Sequence, residues 1–169
     1  MSRASSRLRG LALLLACVPA CWGVACGPPA GPPAWVAGLA SQDVVQRREA
    51  VRTAGEGRAW AASEVRALAQ ALGDPDRWVR EGAAIALREQ GEGAAPALQA
   101  LRDALRDPDE FVRWRSVQAL GRLGAAAAPA RADVQRHASD PREVEVVRAA
   151  SQRALERIDA AMRDGGAAR

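Results

Sequence analysis

The side chains best suited to covalent or metal chemistry in this sequence are three closely spaced cysteines, Cys17, Cys21 and Cys26, and one histidine, His137. A tetrahedral metal site needs a fourth nitrogen or sulfur donor, and the cysteine segment supplies none. A disulfide framework would spread its cysteines through the fold, whereas the chain after Cys26 has none. Every basic side chain is Arg and Lys is absent, which rules out Schiff-base chemistry and a P-loop lysine. With one histidine there is no two-histidine acid/base pair, and His137 reads as a surface residue near the end of a helix. Carboxylates are plentiful, but none is set against an evident nucleophile or electrophile. On these grounds no catalytic residue, no metal ligand and no cofactor is assigned.

What positions the cysteines is the N-terminal segment. MSRASSRLRG is basic and Ser-rich, LALLLACVPACWGVA is uncharged and mostly apolar, and GPPAGPP follows. Charged leader, hydrophobic stretch and small-residue exit in that order read as an export signal. The apolar run 11–25 is shorter than the roughly 20 residues a spanning helix needs, and Pro19 interrupts it. The cysteines in this setting resemble the lipid-attachment residue of bacterial lipoproteins, where the signal is cut just before a Cys. Three cuts compete. The one before Cys17 leaves a very short hydrophobic stretch, and the one before Cys21 puts a rigid Pro beside the scissile bond. The cut before Cys26 gives a full-length stretch and is preferred, with Cys17 as the alternative and simple cleavage as a third outcome. The expected organisation is a signal segment over 1–26, a Pro/Gly linker over 27–33 that acts as a tether, a folded domain over 34–162 and a disordered tail over 163–169. The body is then placed outside the cytoplasm, in the periplasm or on the outer surface, held to the membrane by a lipid.

Hydrophobic residues make up 49% of the chain and aromatics only 4%, so the apolar content is mostly Ala, Leu and Val, a helix-forming composition. The net charge of +4 includes Arg3, Arg7 and Arg9; without them the balance is +1. A near-neutral body lacks the one-sided basic field that drives nucleic-acid binding, so nucleic acid is not expected as a partner.

The body repeats itself. DPDRWVREGAAIAL starts at Asp74, DPDEFVRWRSVQAL at Asp107, and DPREVEVVRAASQRAL, two residues longer, at Asp140. The Asp-Pro pairs are spaced by 33 residues, as are Gly91 with Gly124 and Pro96 with Pro129. The same step puts Ser41-Gln42, Arg47, Ala50 and Ala54 under Asp74-Pro75, Arg80, Ala83 and Leu87, a degraded first copy. Each unit reads as two helices. In the second unit, Ser63 is the expected N-cap of a helix carrying Val65, Leu68 and Leu72. After the Gly73-Asp74-Pro75 turn, Val79, Ala83, Ala86, Leu87 and Gln90 form the stripe of an amphipathic helix that Gly91 closes. The third unit repeats this with Leu98, Leu101 and Leu105, then Val112, Ser116, Ala119, Leu120 and Leu123.

The pattern D-P-x-x-x-V-R, a small residue, A-L, a glycine and A-x-P resembles the HEAT repeat, in the short variety found among relatives of phycobiliprotein lyases. It covers about Ala34 to Met162. The fold expected from it is all-α, a right-handed α-solenoid of about four helix pairs. Departures sit at the ends: unit one lacks Asp-Pro, and unit four has Arg131 where the preceding unit has Leu98, as capping units require. The resemblance makes Asp74 with Arg80, and Asp107 with Arg113, turn-bracing pairs that also link neighbouring units.

The resemblance also implies that the second helix of each pair lines the inner curved face. On that face Trp114 is expected to be an exposed interface anchor flanked by Val117, Arg77, Glu81, Arg88 and Glu110, with packing against the next helix as the competing role. Trp78 and Phe111 are expected in the seams between units, Trp35 in the core, and Trp60 in a loop with no assigned role. The expected function is a non-catalytic scaffold, acting as a monomer, that binds a protein or peptide on the concave face. The alternatives are a helper related to bilin lyases and, with less support, a HEAT-like nucleic-acid binder.

Overall fold

The computed structural model describes residues 33–54 and 60–167, and among these described residues eight α-helices pair off. All of these lie in one unit, Gly31–Arg169. The cysteines, the signal segment and all of the linker but Pro33 fall outside the described residues. The pairs are α1 (Ala34–Leu39) with α2 (Val44–Ala54), α3 (Ala62–Ala71) with α4 (Arg77–Gln90), α5 (Leu98–Ala104) with α6 (Glu110–Arg122), and α7 (Arg131–Ser139) with α8 (Glu145–Ala167). There is no strand among the described residues, and none of the described helices is long and apolar enough to cross a membrane. Successive second helices pack against one another, α2 on α4, α4 on α6 and α6 on α8, so this is a stack of helix pairs, an α-solenoid.

Side-chain caps form at α4 and α6, and the one expected at Ser63 does not. Asp76 and Asp109 accept hydrogen bonds from the second and third amides of α4 and α6. Ser63 is not a cap; α3 begins after Ala61, whose amide donates to the Glu64 carboxylate at 3.0 Å. A glutamate reaching back secures this start without a serine hydroxyl. Gly91 and Gly124 adopt φ of 54° and 56°, a region in which a Cβ is strained. Each opens a 3-10 segment, Gly91–Ala97 and Gly124–Ala130, that carries Pro96 or Pro129 and leads into the next first helix.

The core runs through every described unit. Val65, Leu68, Val79, Ala83, Leu87, Leu101, Leu105, Val112, Leu120, Leu123, Val134, Val147 and Ile158 are buried. Trp35 is only partly buried; it packs on the core edge with its ring 5.7 Å from that of Trp60 and tilted by 52°, which gives Trp60 a role. The helix α8 continues through Ala167, so much of the expected tail 163–169 is helical. The packed part of α8 gives the helix a long segment to grow from.

Units are tied by an arginine ladder. Arg80 Nη1 donates to the carbonyls of Asp74 (2.9 Å) and Pro75 (3.1 Å), while its Nε and Nη2 grip the Asp107 carboxylate of the next unit at 2.7 and 3.1 Å. Arg47 does the same one unit earlier, to the carbonyls of Ser41 and Gln42 and to the Asp74 carboxylate. Arg113 does it one unit later, to the carbonyls of Asp107 and Pro108 and to Glu143. The expected Asp74–Arg80 and Asp107–Arg113 pairs are therefore corrected in one respect: within a turn the arginine holds the aspartate's carbonyl, and its charge pairs across units. In unit four the two-residue insertion moves the acceptor from Asp140 to Glu143. His137 joins there, with Nδ1 2.8 Å from Glu143, so it is partnered and only partly exposed.

Candidate functional site

The second helices offer a face with a regular feature. At the second position of each stands an exposed large apolar side chain: Val45 (66% exposed), Trp78 (50%), Phe111 (41%) and Val146 (40%). The caps fix this register, since the amides of Val45, Trp78 and Phe111 each donate to the preceding Asp43, Asp76 or Asp109 at 2.9–3.1 Å. Arg77 lies between two of these residues, its guanidinium 4.0 Å from the Trp78 ring centre and 5.9 Å from that of Phe111, with Nη1 2.7 Å from Asp109. Behind Trp78, Val51, Gly82 and Ile85 line a groove of about 370 Å³ between α2 and α4. Gly82 permits that close approach: a Cβ there would stand 2.5 Å from Val51 Cγ2.

The residues expected to surround an exposed Trp114 do not form one patch. Trp114 is partly buried and packs on the core, with the Arg115 guanidinium 4.0 Å over its ring. Its Nε1 is buried with no hydrogen-bond partner among the described residues. Val117 is fully buried, so it offers nothing to a partner. Glu81 pairs with Arg115 at 3.6 Å, and Arg88 is held by Glu89 and by Gln118 at 3.2 Å. Glu110 is partly exposed in the first turn of α6. Only Arg77 belongs to the exposed row. Trp78 and Phe111, expected in the seams, are the exposed aromatics instead.

The reason is a second buried stripe. A helical wheel marks the side of α6 that faces α5, but side-by-side packing of α4, α6 and α8 also buries Ala84 and Val117. The signal for the exposed row was present in the 33-residue register, which puts Val45, Trp78 and Phe111 at one position.

Two carboxylates near the turns, Asp76 and Glu143, are held well below the usual carboxylate range. The hydrogen bond from Arg48, against some desolvation, lowers Asp76 to about 2. Burial alone would raise Glu143, but hydrogen bonds from Arg113 and His137 outweigh it and bring it to about 2. Both acids have arginine partners that belong to the ladder and the caps, which is a structural arrangement. Among the described residues no group of three or more His, Cys, Asp or Glu could hold a metal ion.

The family model for HEAT repeats matches residues 32–103. No curated protein matches the sequence. Among solved structures, the chain is similar to the crystal structure of an engineered protein, with 24% identity and a TM-score of 0.60 over 75% of this chain and 62% of that one. It is also similar to the complex of CpcE and CpcF of phycocyanin lyase from Nostoc sp. PCC7120, with 28% identity and a TM-score of 0.60 over 79% of this chain and 57% of that one. The chain thus spans about three fifths of the length of these two solved chains. Fold and repeat agree: the described residues form an α-solenoid of helix pairs similar to HEAT repeats.

Proposed function

We propose that this HEAT-repeat solenoid is a non-catalytic interaction scaffold, holding another protein or an extended peptide segment across its second-helix face. One observation carries the reading: each unit presents one large apolar side chain at the same position, Val45, Trp78, Phe111 and Val146, and an arginine bridges the two aromatic ones. Trp and Arg are the side chains that most often anchor interfaces, and a row at the spacing of the repeat suits a partner that runs along the stack.

The test is photo-crosslinking from positions 78 and 111 in the native host, with exposed Gln99 of α5 as the control site. The expected result is one protein captured from both row positions and not from 99. Capture at all three alike, or at none, ends the reading.

The N-terminal segment supports export and tethering through a lipid on Cys26, or else on Cys17. Metabolic labelling with a palmitate analogue is expected to mark the wild type and not Cys26→Ala; loss of label only in Cys17→Ala moves the anchor to Cys17, and an unlabelled wild type, or label that persists in Cys26→Ala and in Cys17→Ala, overturns it.

A second reading, an accessory role beside a lyase, rests on the similarity to the phycocyanin lyase complex. Covalent bilin transfer to a phycobiliprotein, accelerated when this protein is added, would establish it in place of the scaffold reading.

A further inference from the structure

A second groove, between α6 and α8, differs in kind from the one behind Trp78. It has a volume of about 260 Å³ and is bordered by Arg88, Arg122, Arg153, Arg157 and Gln118 around Gly121, with no acidic residue in its lining. The two grooves are equivalent by repeat. Gly82, Ile85 and Ala86 of α4 correspond to Ala150, Arg153 and Ala154 of α8 once the two-residue insertion is counted, so an isoleucine in one groove is an arginine in the other.

Most of the described arginines pair with a carboxylate in the ladder, at a cap or along a helix, but three of those around this groove do not. Arg122, Arg153 and Arg157 form no hydrogen bond or ion pair with another described residue. Arg88 has one acidic neighbour, Glu89, and its Nη1 reaches Gln118. Gln118 Oε1 also accepts from Arg115 at 3.3 Å, so its acceptor side faces guanidinium groups. The floor is set by Gly121, where a Cβ would lie 3.0 Å from Ala154 Cα. A body that is nearly neutral without Arg3, Arg7 and Arg9 therefore gathers three unpaired arginines in one recess.

We propose that this recess binds a carboxylate-rich, extended segment of the partner protein, so that the partner lies with its apolar residues toward α2 and α4 and its acidic residues toward α6 and α8. The orientation rests on the scaffold reading above; the anion site does not. Guanidinium forks pair with carboxylates in two-point geometry. The charge concentrated here sits in a recess and not along an open stripe, as a nucleic-acid backbone would need.

The probe is a fluorescent ten-residue peptide of alternating Glu and Gly, measured by anisotropy against the full-length protein. A Gln-Gly peptide and a single-stranded oligonucleotide are the comparison ligands. Saturable binding of the Glu peptide is expected, weakened about 10-fold by Arg153→Gln or Arg157→Gln and less than 2-fold by Arg66→Gln on α3, with unchanged circular dichroism. No saturable binding, or equal losses from Arg66→Gln and the groove variants, overturns the proposal. So does an oligonucleotide that binds more tightly than the peptide and responds to the same variants. Failure here with successful crosslinking from positions 78 and 111 removes the acidic segment alone; the reverse removes the scaffold row and leaves the anion site.

Discussion

Arg80 Nε lies 2.7 Å from Oδ2 of Asp107 in the next repeat, while Nη1 of the same guanidinium holds the Asp74 carbonyl at 2.9 Å. One side chain thereby closes the turn of its own unit and locks that unit to the next. Side-chain exposures of 14% for Arg80 and 7% for Asp107 remove the pair from the class of weak surface salt bridges. Removing one partner leaves the other buried and unpaired.

Arg80→Ala is expected to destabilise the fold by about 3 kcal/mol, and Arg80→Lys by about 1–2 kcal/mol, because an ammonium cannot serve two carbonyls and a carboxylate together. Urea unfolding checks both. A loss below about 0.5 kcal/mol for Arg80→Ala would show that the ladder contributes little.

The helices α2 and α4 meet at Gly82. Gly82→Ala gains about 1 kcal/mol of helix propensity, yet its Cβ would stand 2.5 Å from Val51 Cγ2. Overpacking of this kind costs about 1–3 kcal/mol, so the variant is expected to be the less stable by about 1 kcal/mol. Adding Val51→Ala relieves the clash, and the double variant is expected to lose less than the sum of the singles in a thermal unfolding cycle.

Acid is expected to loosen the stack from its C-terminal unit. Glu143 falls from an ordinary 4.5 to about 2 in the folded protein. A depressed acid contributes stability that is present above its unfolded value and lost as pH falls through its folded one. The loss therefore runs from about pH 4.5 down to about pH 2 and amounts to roughly 3 kcal/mol. Glu143→Gln is expected to flatten this part of the pH–stability curve; a curve that stays as steep would show that other acids account for it.

Exposure separates the two candidate anchor tryptophans. Trp78 is half exposed and Trp114 packs on the core, so Trp78→Ala is expected to cost less than about 1 kcal/mol and Trp114→Ala about 2–3 kcal/mol. Partner capture is expected to fall with Trp78→Ala. Equal stability losses in denaturant would show that the two side chains are buried alike.

The 33-residue repeat was legible by eye and determined most of the architecture: the helix pairs, the turns at Asp74 and Asp107, and even the degraded copy at Ser41, where Asp43 N donates to Ser41 Oγ as Asp76 N does to Asp74 Oδ1. These features are local or strictly periodic, so residue order alone specifies them. What only the tertiary structure decided depends on contacts between units. The charge of Arg80 goes to Asp107 and not to Asp74, Val117 is buried and Trp78 exposed, Glu143 takes the place of Asp140, and Arg122, Arg153 and Arg157 gather in one recess. A helical wheel assigns one buried side to a helix, and a helix stacked between two equivalents has more than one. How those helices lie against each other fixes which of the remaining side chains meet solvent.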